Sequence, residues 1–382
     1  MKKLSAYLFL ILFSFSAPSF ADDLSYVQIE GMSIGDKLSD HFTAREIKNF
    51  KKKPTADSNR FTKYSIISSK FKTYDEIVVF LGTGKGSDYI SNFMRNIILT
   101  GGSGFLGHHL IKKIRMSYHV RCLVRPDSKR DDHPNIKYYE IDFLNPVFNK
   151  NMFDDIFAVI HILSIKSSYH PDIFTINVDF TRKLVEAALS YKVKKFVYIS
   201  SETVQLPGED RYTKSKKQAE KEVIKHNNHL ILRPTVIYGK GNKSDIGLLI
   251  ALAKRIPVVP LIGNGKQLIQ PVSAEDVIKC INSGLLNDIS GIHLIAGKNS
   301  LAYKDIVNLI LRALGKRRIV VHVPIGMCYV IAKFFALFKI PFLQKSQVDN
   351  LKVDKVYSVD ETEKIFQLKF SDPREGIYKI IR

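Results

Sequence analysis

Three polar side chains near the middle of the chain have the types and spacing needed to transfer a proton. Tyr212 and Lys216 stand four residues apart, which places them on one face of a predicted helix that continues through Ala219 and Glu220. A phenol is a poor base at its usual pKa of about 10, and a neighbouring ammonium favours its ionised form. Ser201 ends a predicted strand and would polarise a substrate hydroxyl or carbonyl. The three residues therefore predict acid–base chemistry.

A glycine-rich turn lies upstream of these residues. Its glycines, Gly101, Gly104 and Gly107, have the spacing GxxGxxG, and a helix is predicted to begin near Phe105. Glycines at this spacing allow a tight turn, close approach to a pyrophosphate and close helix packing, while the helix N-terminus offers free N–H groups to phosphates. Because a strand precedes the turn and a helix follows it, we expect a dinucleotide site. The predicted contacts in the turn are Gly101, Gly104, Phe105, Leu106 and Gly107.

Two charged residues at strand ends bear on the identity of the cofactor. Arg125 follows the second strand, where an NAD enzyme usually has an acid that accepts from the ribose hydroxyls. An Arg at this point can pair with a 2′-phosphate, which favours NADP over NAD, or it can be an exposed charge at a strand end. Asp142 ends the third strand, where it is placed to accept from the adenine amino group or to cap a turn.

Apolar strands alternate with helical patterns from residue 94 onward, which predicts an α/β, Rossmann-type doubly wound parallel sheet with a smaller C-terminal substrate lobe. The predicted strands are Asn96–Thr100, Val120–Val124, Lys137–Ile141, Ala158–Ile162, Lys195–Ser200 and His229–Arg233. The predicted organisation is a signal peptide at 1–21, a small α+β module at 22–93, the NAD(P)-binding domain at 94–240 and the substrate lobe at 241–382, partly interleaved with it. Within the α+β module we expect strands at Tyr26–Ile29, Tyr64–Ser68 and Glu76–Leu81, a helix at Thr43–Phe50 and a turn at 82–86.

These motifs resemble the extended short-chain dehydrogenase/reductase family, also called the NAD-dependent epimerase/dehydratase family, over residues 94–382. Further segments that carry the resemblance are 159–162, 177–178, 232–239, 263–266, 272–276, 368–370 and 375–376. The resemblance implies that Ser201, Tyr212 and Lys216 form the catalytic triad. It also implies a homodimer and cofactor contacts from the following residues: Arg125, Asp142, Phe143, Leu163, Lys216, Pro234 and Val236. Among these contacts, Leu163, Lys216 and the segment Arg233–Val236 would line the nicotinamide. The linker between Ser201 and Tyr212 is shorter than is usual in nucleotide-sugar epimerases.

Three functions fit this sequence. The first is an epimerase, dehydratase or reductase acting on a nucleoside-diphosphate sugar, a substrate that suits the net charge of +21. The second is a reductase or dehydrogenase of an apolar ketone or alcohol, of the hydroxysteroid or dihydroflavonol type, for which the short linker and an apolar helix predicted at 325–340 are suited. The third is a non-catalytic, cofactor-binding assembly subunit, against which intact Tyr212 and Lys216 argue.

Charge and cysteine content bound the remaining partners. The basic charge suits polyanions, but the sequence contains neither zinc-finger spacing nor an Arg-rich tail, so nucleic-acid binding is not favoured. Cys122, Cys280 and Cys328 are far apart and lie in apolar contexts, which predicts buried thiols and neither a disulfide framework nor a metal site. The apolar segment 325–340 is too short to cross a bilayer, and it predicts either a buried lobe helix or peripheral membrane contact.

The N-terminus and the enzyme domain indicate different compartments. Lys2 and Lys3 precede an apolar run and then small residues ending at Ala21, the order of a secretory signal peptide. That peptide predicts export to the periplasm. The predicted cofactor and the unpaired cysteines are instead typical of a cytoplasmic enzyme.

Overall fold

The computed structural model describes most of the chain after residue 94 and a few strands before it. The described residues are 95–115, 117–207, 210–242, 245–337, 345–350 and 352–382, together with five short N-terminal strands. The chain divides into two compact units, Met1–Arg95 and Asn96–Arg382. The predicted signal peptide, the helix at Thr43–Phe50 and the turn after Gly82 lie outside the described residues.

The N-terminal unit contains short antiparallel strands. A two-stranded ladder pairs Gln28–Ile29 with Met32–Ser33. A three-stranded sheet is formed by Lys51–Lys53, Phe61–Ile66 and Ile77–Gly82. The three predicted strands are confirmed with shifted bounds, whereas Lys51–Lys53 was not predicted because three consecutive lysines carry no apolar alternation.

A seven-stranded parallel sheet forms the centre of the second unit. Its strands β1–β7 are, in chain order, Arg95–Thr100, Tyr118–Val124, Ile136–Glu140, Ile156–His161, Lys195–Ile199, His229–Pro234 and Gly291–Ile295. Their order across the sheet is β7-β6-β5-β4-β1-β2-β3. The chain runs outward from β1 to β3 and returns to β4 on the other side of β1, so the topological switch point lies between β1 and β4. Open α/β sheets bind ligands at this point, beyond the carboxyl ends of the strands.

Helices cover both faces of this sheet, as a doubly wound fold requires. The described helices of this unit with eight residues or more, including those of the C-terminal lobe, are numbered α1–α8. They are Phe105–Ile114, Phe180–Ser190, Arg211–Val223, Ile246–Arg255, Ala274–Leu286, Tyr303–Leu314, Ile325–Leu337 and Pro373–Ile381. Helices α1 and α5 share one buried apolar cluster with Ile97 and Leu99 of β1. Helices α2 and α3 share another with Ile98 of β1 and Phe196 of β5. Consecutive β1 side chains thus enter opposite clusters, as the pleat of a strand dictates.

The shorter helical segments complete the described elements of this unit. They are Lys150–Phe153, Lys345–Asn350 and Asp360–Phe366, a π-helical turn at Thr175–Asp179 and a 3₁₀ turn at Glu202–Gln205. All strands predicted from residue 96 onward are confirmed, and β7 is an addition. Strand β7 escaped prediction because it is a half-exposed edge strand that joins the sheet from within the segment 241–382.

A third apolar cluster, separate from the large sheet, forms the C-terminal lobe. It gathers α4, α6 and α8 around a two-stranded parallel sheet, called here the outer sheet, in which Val258–Ile262 pairs with Ile319–Val323. Two shorter pairs connect neighbouring segments, Ile237–Tyr238 with Val272–Ser273 and Leu268–Ile269 with Leu301–Ala302. Helix α7 corresponds to the apolar helix predicted from Ile325. Among the described residues, no helix combines the length and the apolar character needed to cross a bilayer.

Candidate active site

The glycine-rich turn lies at the switch point, between β1 and α1. Gly101 has φ +76°, and a Cβ there would lie 2.7 Å from the main-chain nitrogen of Leu163, just after β4. A Cβ at Gly107 would lie 2.1 Å from the Gly101 carbonyl oxygen. Both positions therefore exclude any side chain, because the turn packs against its own helix and against the neighbouring strand.

The N-terminus of α1 is open for an anionic ligand. Gly104 is the N-cap residue, is exposed, and supplies no side chain to satisfy the first N–H groups of the helix. Within 4 Å of a Cβ built there, only the Gly101 carbonyl oxygen is found, at 3.2 Å. The first turn also carries no acidic residue. An uncapped helix end beside a left-handed glycine fits the pyrophosphate of a dinucleotide.

Two of the other residues predicted in the turn serve packing. Leu106 is buried in the cluster shared with β1. Phe105 is half-buried, and a Cβ at Gly239 would lie 2.9 Å from its ring. These two side chains therefore fix the direction of α1 as it leaves the turn, and the cofactor contacts expected of them stay a prediction.

Arg125 and Leu163 stand at the carboxyl ends of strands that flank the turn. Arg125 is exposed and directly follows β2. Leu163 is half-buried beyond β4, and its N–H donates to the hydroxyl of Thr100 at 3.4 Å. The structure therefore brings both residues to the edge of the sheet where the glycine turn lies.

The remaining predicted cofactor residues have structural partners of their own. Asp142 is exposed, and its carboxylate accepts from the N–H of Leu144 at 2.9 Å, which makes it a turn cap. The ring of Phe143 is buried edge-on against Phe180, with 5.1 Å between centroids, so its side chain does not face a ligand. Only the backbone of Phe143 remains for the predicted contact.

Pro234 and Val236 mark the end of β6 and the start of the lobe. Pro234 is buried at the last position of β6. Val236 is half-buried, packs against the lobe cluster, and its carbonyl accepts from the N–H of Val272 at 3.0 Å. They lie where the sheet passes into the lobe, the position predicted for the nicotinamide wall.

Ser201 and Tyr212 come together at the carboxyl end of β5. Ser201 caps the 3₁₀ turn that follows β5, where its hydroxyl oxygen accepts from the N–H of Thr203 at 3.3 Å and from its hydroxyl at 3.1 Å. Tyr212 lies in the first turn of α3, a helix capped by Asp210, whose carboxylate accepts from Thr213 at 2.7 Å. The hydroxyls of Ser201 and Ser164 both lie within hydrogen-bonding reach of the Tyr212 phenol and lower its pKa.

The phenol of Tyr212 is held in its protonated form. Burial raises its pKa to about 12, Asp210 and Asp245 add to this effect, and the hydroxyls of Ser201 and Ser164 oppose it. The protein groups around Tyr212 therefore favour the phenol, and the shift toward phenolate expected from the neighbouring ammonium together with a bound nicotinamide stays a prediction.

Lys216 is buried one turn further along α3. Its Nζ donates to the Ile199 carbonyl at 2.7 Å and lies 4.3 Å from the centre of the Tyr198 ring. Burial lowers the pKa of this lysine to about 7, Glu220 raises it, and Lys166 lowers it further. Lys216 therefore titrates near neutral pH.

A bidentate ion pair lies one helical turn beyond Lys216 on α3. Arg233 on β6 donates to both oxygens of Glu220, at 2.9 and 2.6 Å, and Glu220 is almost fully buried. Glu220 is thereby held one helical turn from Lys216, on the same face of α3. Arg233 belongs to a segment predicted to line the nicotinamide, but its side chain instead joins the sheet to the catalytic helix.

Asn177 is a site residue whose role was not predicted. Its side-chain carbonyl accepts from the N–H of Ile165 at 2.7 Å, and its amide donates to the Ile165 carbonyl at 2.9 Å and to the Ser215 hydroxyl at 2.9 Å. Ser215 in turn donates to the Tyr212 carbonyl at 2.7 Å. Asn177 therefore ties the loop after β4 to the helix that carries Tyr212. An uncharged polar residue within a helical pattern was the only signal for it.

A buried ion pair beside Ser201 was also missed. Glu202 is 3% exposed, and its carboxylate accepts from Nζ of Lys355 at 3.1 Å. Its charge raises the pKa of Tyr357 after the larger effect of burial. Sequence reasoning had no means of pairing residues separated by 153 positions. The three cysteines, by contrast, are free and buried as predicted.

The fold and the site together define an NAD(P)-binding Rossmann enzyme of the extended short-chain dehydrogenase type. The sequence profile of the NAD dependent epimerase/dehydratase family matches residues 97–289, half of the chain. The chain belongs to that family. The resemblance drawn from its motifs is confirmed.

Relatives and solved structures of two substrate types are similar to this chain. The UDP-glucose 4-epimerase of Vibrio cholerae is 25% identical over 272 residues, which cover 63% of this chain and 82% of that protein. The 3beta-hydroxysteroid-dehydrogenase/decarboxylase isoform 1 of Arabidopsis thaliana is 21% identical over 318 residues, 68% of this chain and 72% of that protein. The UDP-glucuronic acid 4-epimerase of Bacillus cereus, solved with UDP-glucuronic acid and NAD, shares the fold with a TM-score of 0.61 and 19% identity, over 75% of this chain and 98% of that one.

The lowered pKa of Lys216 predicts a distinctive pH dependence of stability. Because the pKa is about 7 in the folded chain and about 10.4 in an unfolded one, folding releases a proton between these values. The free energy of unfolding should therefore rise with pH across this window, by up to about 1.4 kcal/mol per pH unit. Urea unfolding of wild type and of Lys216→Met, from pH 7 to pH 10, measures the difference.

We expect Lys216→Met to lack this rise, whereas Lys214→Met, at an exposed position on the same helix, should keep it. Parallel curves for wild type and Lys216→Met would contradict a buried lysine with a depressed pKa.

Proposed function

We propose that this enzyme acts on a nucleoside-diphosphate sugar, as an epimerase, dehydratase or reductase, with Tyr212 as its acid and base. The observation that carries the proposal is the cluster at the carboxyl end of β5. There the Tyr212 phenol lies beside the Ser201 and Ser164 hydroxyls, and Lys216 is buried beneath on the same helix. The glycine turn would hold a dinucleotide at the adjacent strand ends.

The protein groups divide the proton chemistry among them. A bound nicotinamide would supply the acceptor or donor of a hydride. The Tyr212 phenol donates its proton to a substrate carbonyl oxygen, and takes one from a hydroxyl in the reverse direction. Ser201 accepts two hydrogen bonds from Thr203, so its single O–H is the group that faces the Tyr212 phenol, and it would donate to the substrate oxygen when substrate binds there. Lys216 as an ammonium stabilises the negative charge that develops on Tyr212 when the proton leaves.

Three features support the nucleotide-sugar class. The alignment with the Vibrio cholerae epimerase spans 82% of that protein, so the similarity extends beyond the cofactor domain into the substrate lobe. The Bacillus cereus enzyme, solved with UDP-glucuronic acid, shares this fold over nearly its whole length. The net charge of +21 suits a diphosphate.

An apolar ketone or alcohol is the second candidate, because specific observations favour it. The Arabidopsis hydroxysteroid enzyme is similar over 68% of this chain. An ion pair between Glu202 and Lys355 also lies beside Ser201, where Glu202 is buried, and the linker from Ser201 to Tyr212 is short.

We further propose NADP as the preferred cofactor. Arg125 is exposed at the end of β2, where no acid follows the strand directly. The guanidinium is a planar group with five donors, suited to a phosphate that it meets from solvent. Asp142, the nearest predicted alternative contact for the adenosine, is engaged at one oxygen as a turn cap.

The Tyr212→Phe variant tests the catalytic role. It removes one hydroxyl, so we expect turnover to fall by roughly 10²-fold or more while the dissociation constant for the nicotinamide cofactor stays within about twofold. Steady-state rates and nicotinamide fluorescence report the two quantities. Tyr378→Phe, which removes a hydroxyl from α8, is the matched control. Unchanged turnover in Tyr212→Phe would show that Tyr212 is not the acid and base, and no turnover in the wild type would favour the non-catalytic, cofactor-binding role.

The substrate class is tested by ligand-induced stabilisation of the cofactor-loaded protein. UDP-glucose should raise the unfolding temperature, because a ligand that binds only the folded state stabilises it, and a 3β-hydroxysteroid should leave it unchanged. Stabilisation by the hydroxysteroid and not by UDP-glucose would contradict the nucleotide-sugar proposal and favour an apolar ketone or alcohol as substrate. Each ligand is also incubated with the enzyme, and conversion is followed by NMR.

The Arg125→Ala variant tests the cofactor assignment. Binding of NADPH should weaken at least tenfold, with little change for NADH, because only NADPH carries the 2′-phosphate. Fluorescence titrations of wild type, Arg125→Ala and the exposed control Lys137→Ala measure both constants. Preference of the wild type for NADH, unaffected by Arg125→Ala, would make Arg125 a surface charge and favour an epimerase that regenerates NAD in each cycle.

A further inference from the structure

Two stretches of the C-terminal lobe lack acidic residues and carry many exposed apolar side chains. Residues 246–274 contain three Lys or Arg and no Asp or Glu, and residues 306–348 contain seven Lys or Arg and again no acid. Among the described residues, eight of the sixteen exposed large apolar side chains also fall in these two stretches. They are Leu248, Ile256, Val258, Ile319, Val321, Met327, Val330 and Phe334. Positive charge and exposed apolar side chains therefore occur together in these two stretches.

The outer sheet presents an apolar face to solvent. Val259 and Leu261 are buried in the lobe, so the alternate residues of the same strand point outward. Val258 pairs in register with Ile319, and both are exposed, at 37% and 65%. Val321, two residues further along, is 44% exposed. Register partners project on one side of a sheet, so these side chains form one continuous surface.

Cations gather at one end of this face. The two strands are parallel, so both begin at the same end, and each is preceded by basic residues, Lys254 and Arg255 in one case and 316–318 in the other. Nζ of Lys316 donates to the Lys254 carbonyl at 2.8 Å, which holds the two basic segments together. The outer sheet is therefore positive at its start and apolar along its length.

Helix α7 continues the apolar face at the other end. A Cβ at Gly263 would lie 3.3 Å from Ile325, so the first turn of α7 abuts the end of the outer sheet. Cys328 and Ala332 lie on the buried side of α7, in a cluster with Val348. Met327, Val330 and Phe334 are 53%, 68% and 55% exposed. Their spacing places them on one stripe of the helix, away from the buried positions.

We propose that this surface, the outer sheet face together with the exposed stripe of α7, docks the enzyme on an anionic lipid bilayer. The apolar side chains would enter the interface while the basic residues at the start of the outer sheet meet lipid phosphates. Helix α7 has 13 residues, so at 1.5 Å per residue it is too short to cross about 30 Å of hydrocarbon and lies along the surface. This proposal does not depend on the substrate class.

Charge argues against a second copy of the chain as the occupant. A symmetric pair would bring two acid-free basic surfaces together, and like charges repel across an interface. Asp349, which directly follows the second stretch beside α7, already accepts from the Tyr329 hydroxyl at 2.6 Å. An anionic bilayer supplies both the opposite charge and an apolar layer.

A fluorescent reporter placed within the surface tests the proposal in the full-length chain. Val330→Cys is labelled with an environment-sensitive dye, and Val147→Cys, 75% exposed on the cofactor domain, is the matched control. The native cysteines are buried, and burial raises the pKa of Cys122 to about 12 and raises those of Cys280 and Cys328, so the introduced thiol reacts first. A local reporter also separates this surface from the apolar run 4–15 at the N-terminus.

Phosphatidylcholine vesicles containing 30% phosphatidylglycerol should shift the emission of the Val330 dye to the blue, and that of the Val147 dye should not change. Vesicles of phosphatidylcholine alone should have little effect, and salt should weaken the response. Equal responses at both sites, a response to neutral vesicles of the same size, or none at all would overturn the proposal. A shift that depends on protein concentration without vesicles would indicate self-association and would also overturn it.

Charge reversal gives a second measurement. Lys254→Glu with Arg317→Glu should weaken binding to the anionic vesicles at least tenfold while turnover is retained. Lys112→Glu with Lys113→Glu, an equal change at exposed positions of α1, should have a much smaller effect. Similar losses in both double variants would show a general effect of net charge and would overturn the assignment to this surface.

Discussion

The close approach of the first turn to two other backbone segments is the constraint on which the site depends. Gly101 contacts the chain just beyond β4, and Gly107 contacts the carbonyl of Gly101, in both cases nearer than a Cβ allows. These contacts bring the start of α1 into the crevice between β1 and β4. The dinucleotide, the loop after β4 and the catalytic helix are all arranged around that crevice. Side chains at either glycine would separate the strands and the helix that meet there.

Burial sets the chemistry of the catalytic residues more than direct contact between them does. Tyr212 is made a weaker acid by desolvation, and Lys216 is made a weaker base by the same cause. The ion pair between Glu220 and Arg233 moderates the lysine and keeps its helix against β6. The site is thus prepared for proton donation, and a bound positive ring would shift it toward proton acceptance.

Local patterns accounted for the sheet and for the residues with distinctive chemistry. The glycine spacing placed the turn correctly because steric exclusion at Gly101 and Gly107 leaves a visible mark in the sequence. Ser201 and Tyr212 lie close together as expected, because the strand pattern fixes where β5 ends and the helix pattern fixes where α3 begins. Asn177 was recognised only within a segment that carries the family resemblance, since nothing local shows that its amide bridges a loop and a second helix. Phe143 was expected at a ligand, but its ring completes the core, an outcome that depends on Phe180 from another element.

The ion pair between Glu202 and Lys355 has a consequence for how the enzyme is made. Glu202 directly follows Ser201, yet its partner lies 153 residues later in the chain. A buried carboxylate without its cation is strongly destabilised, by about 3–5 kcal/mol for a broken pair. During synthesis on a ribosome, the carboxylate beside Ser201 therefore lacks its cation until Lys355 has emerged. A nascent chain that already holds strands β1 to β6 still lacks this ion pair.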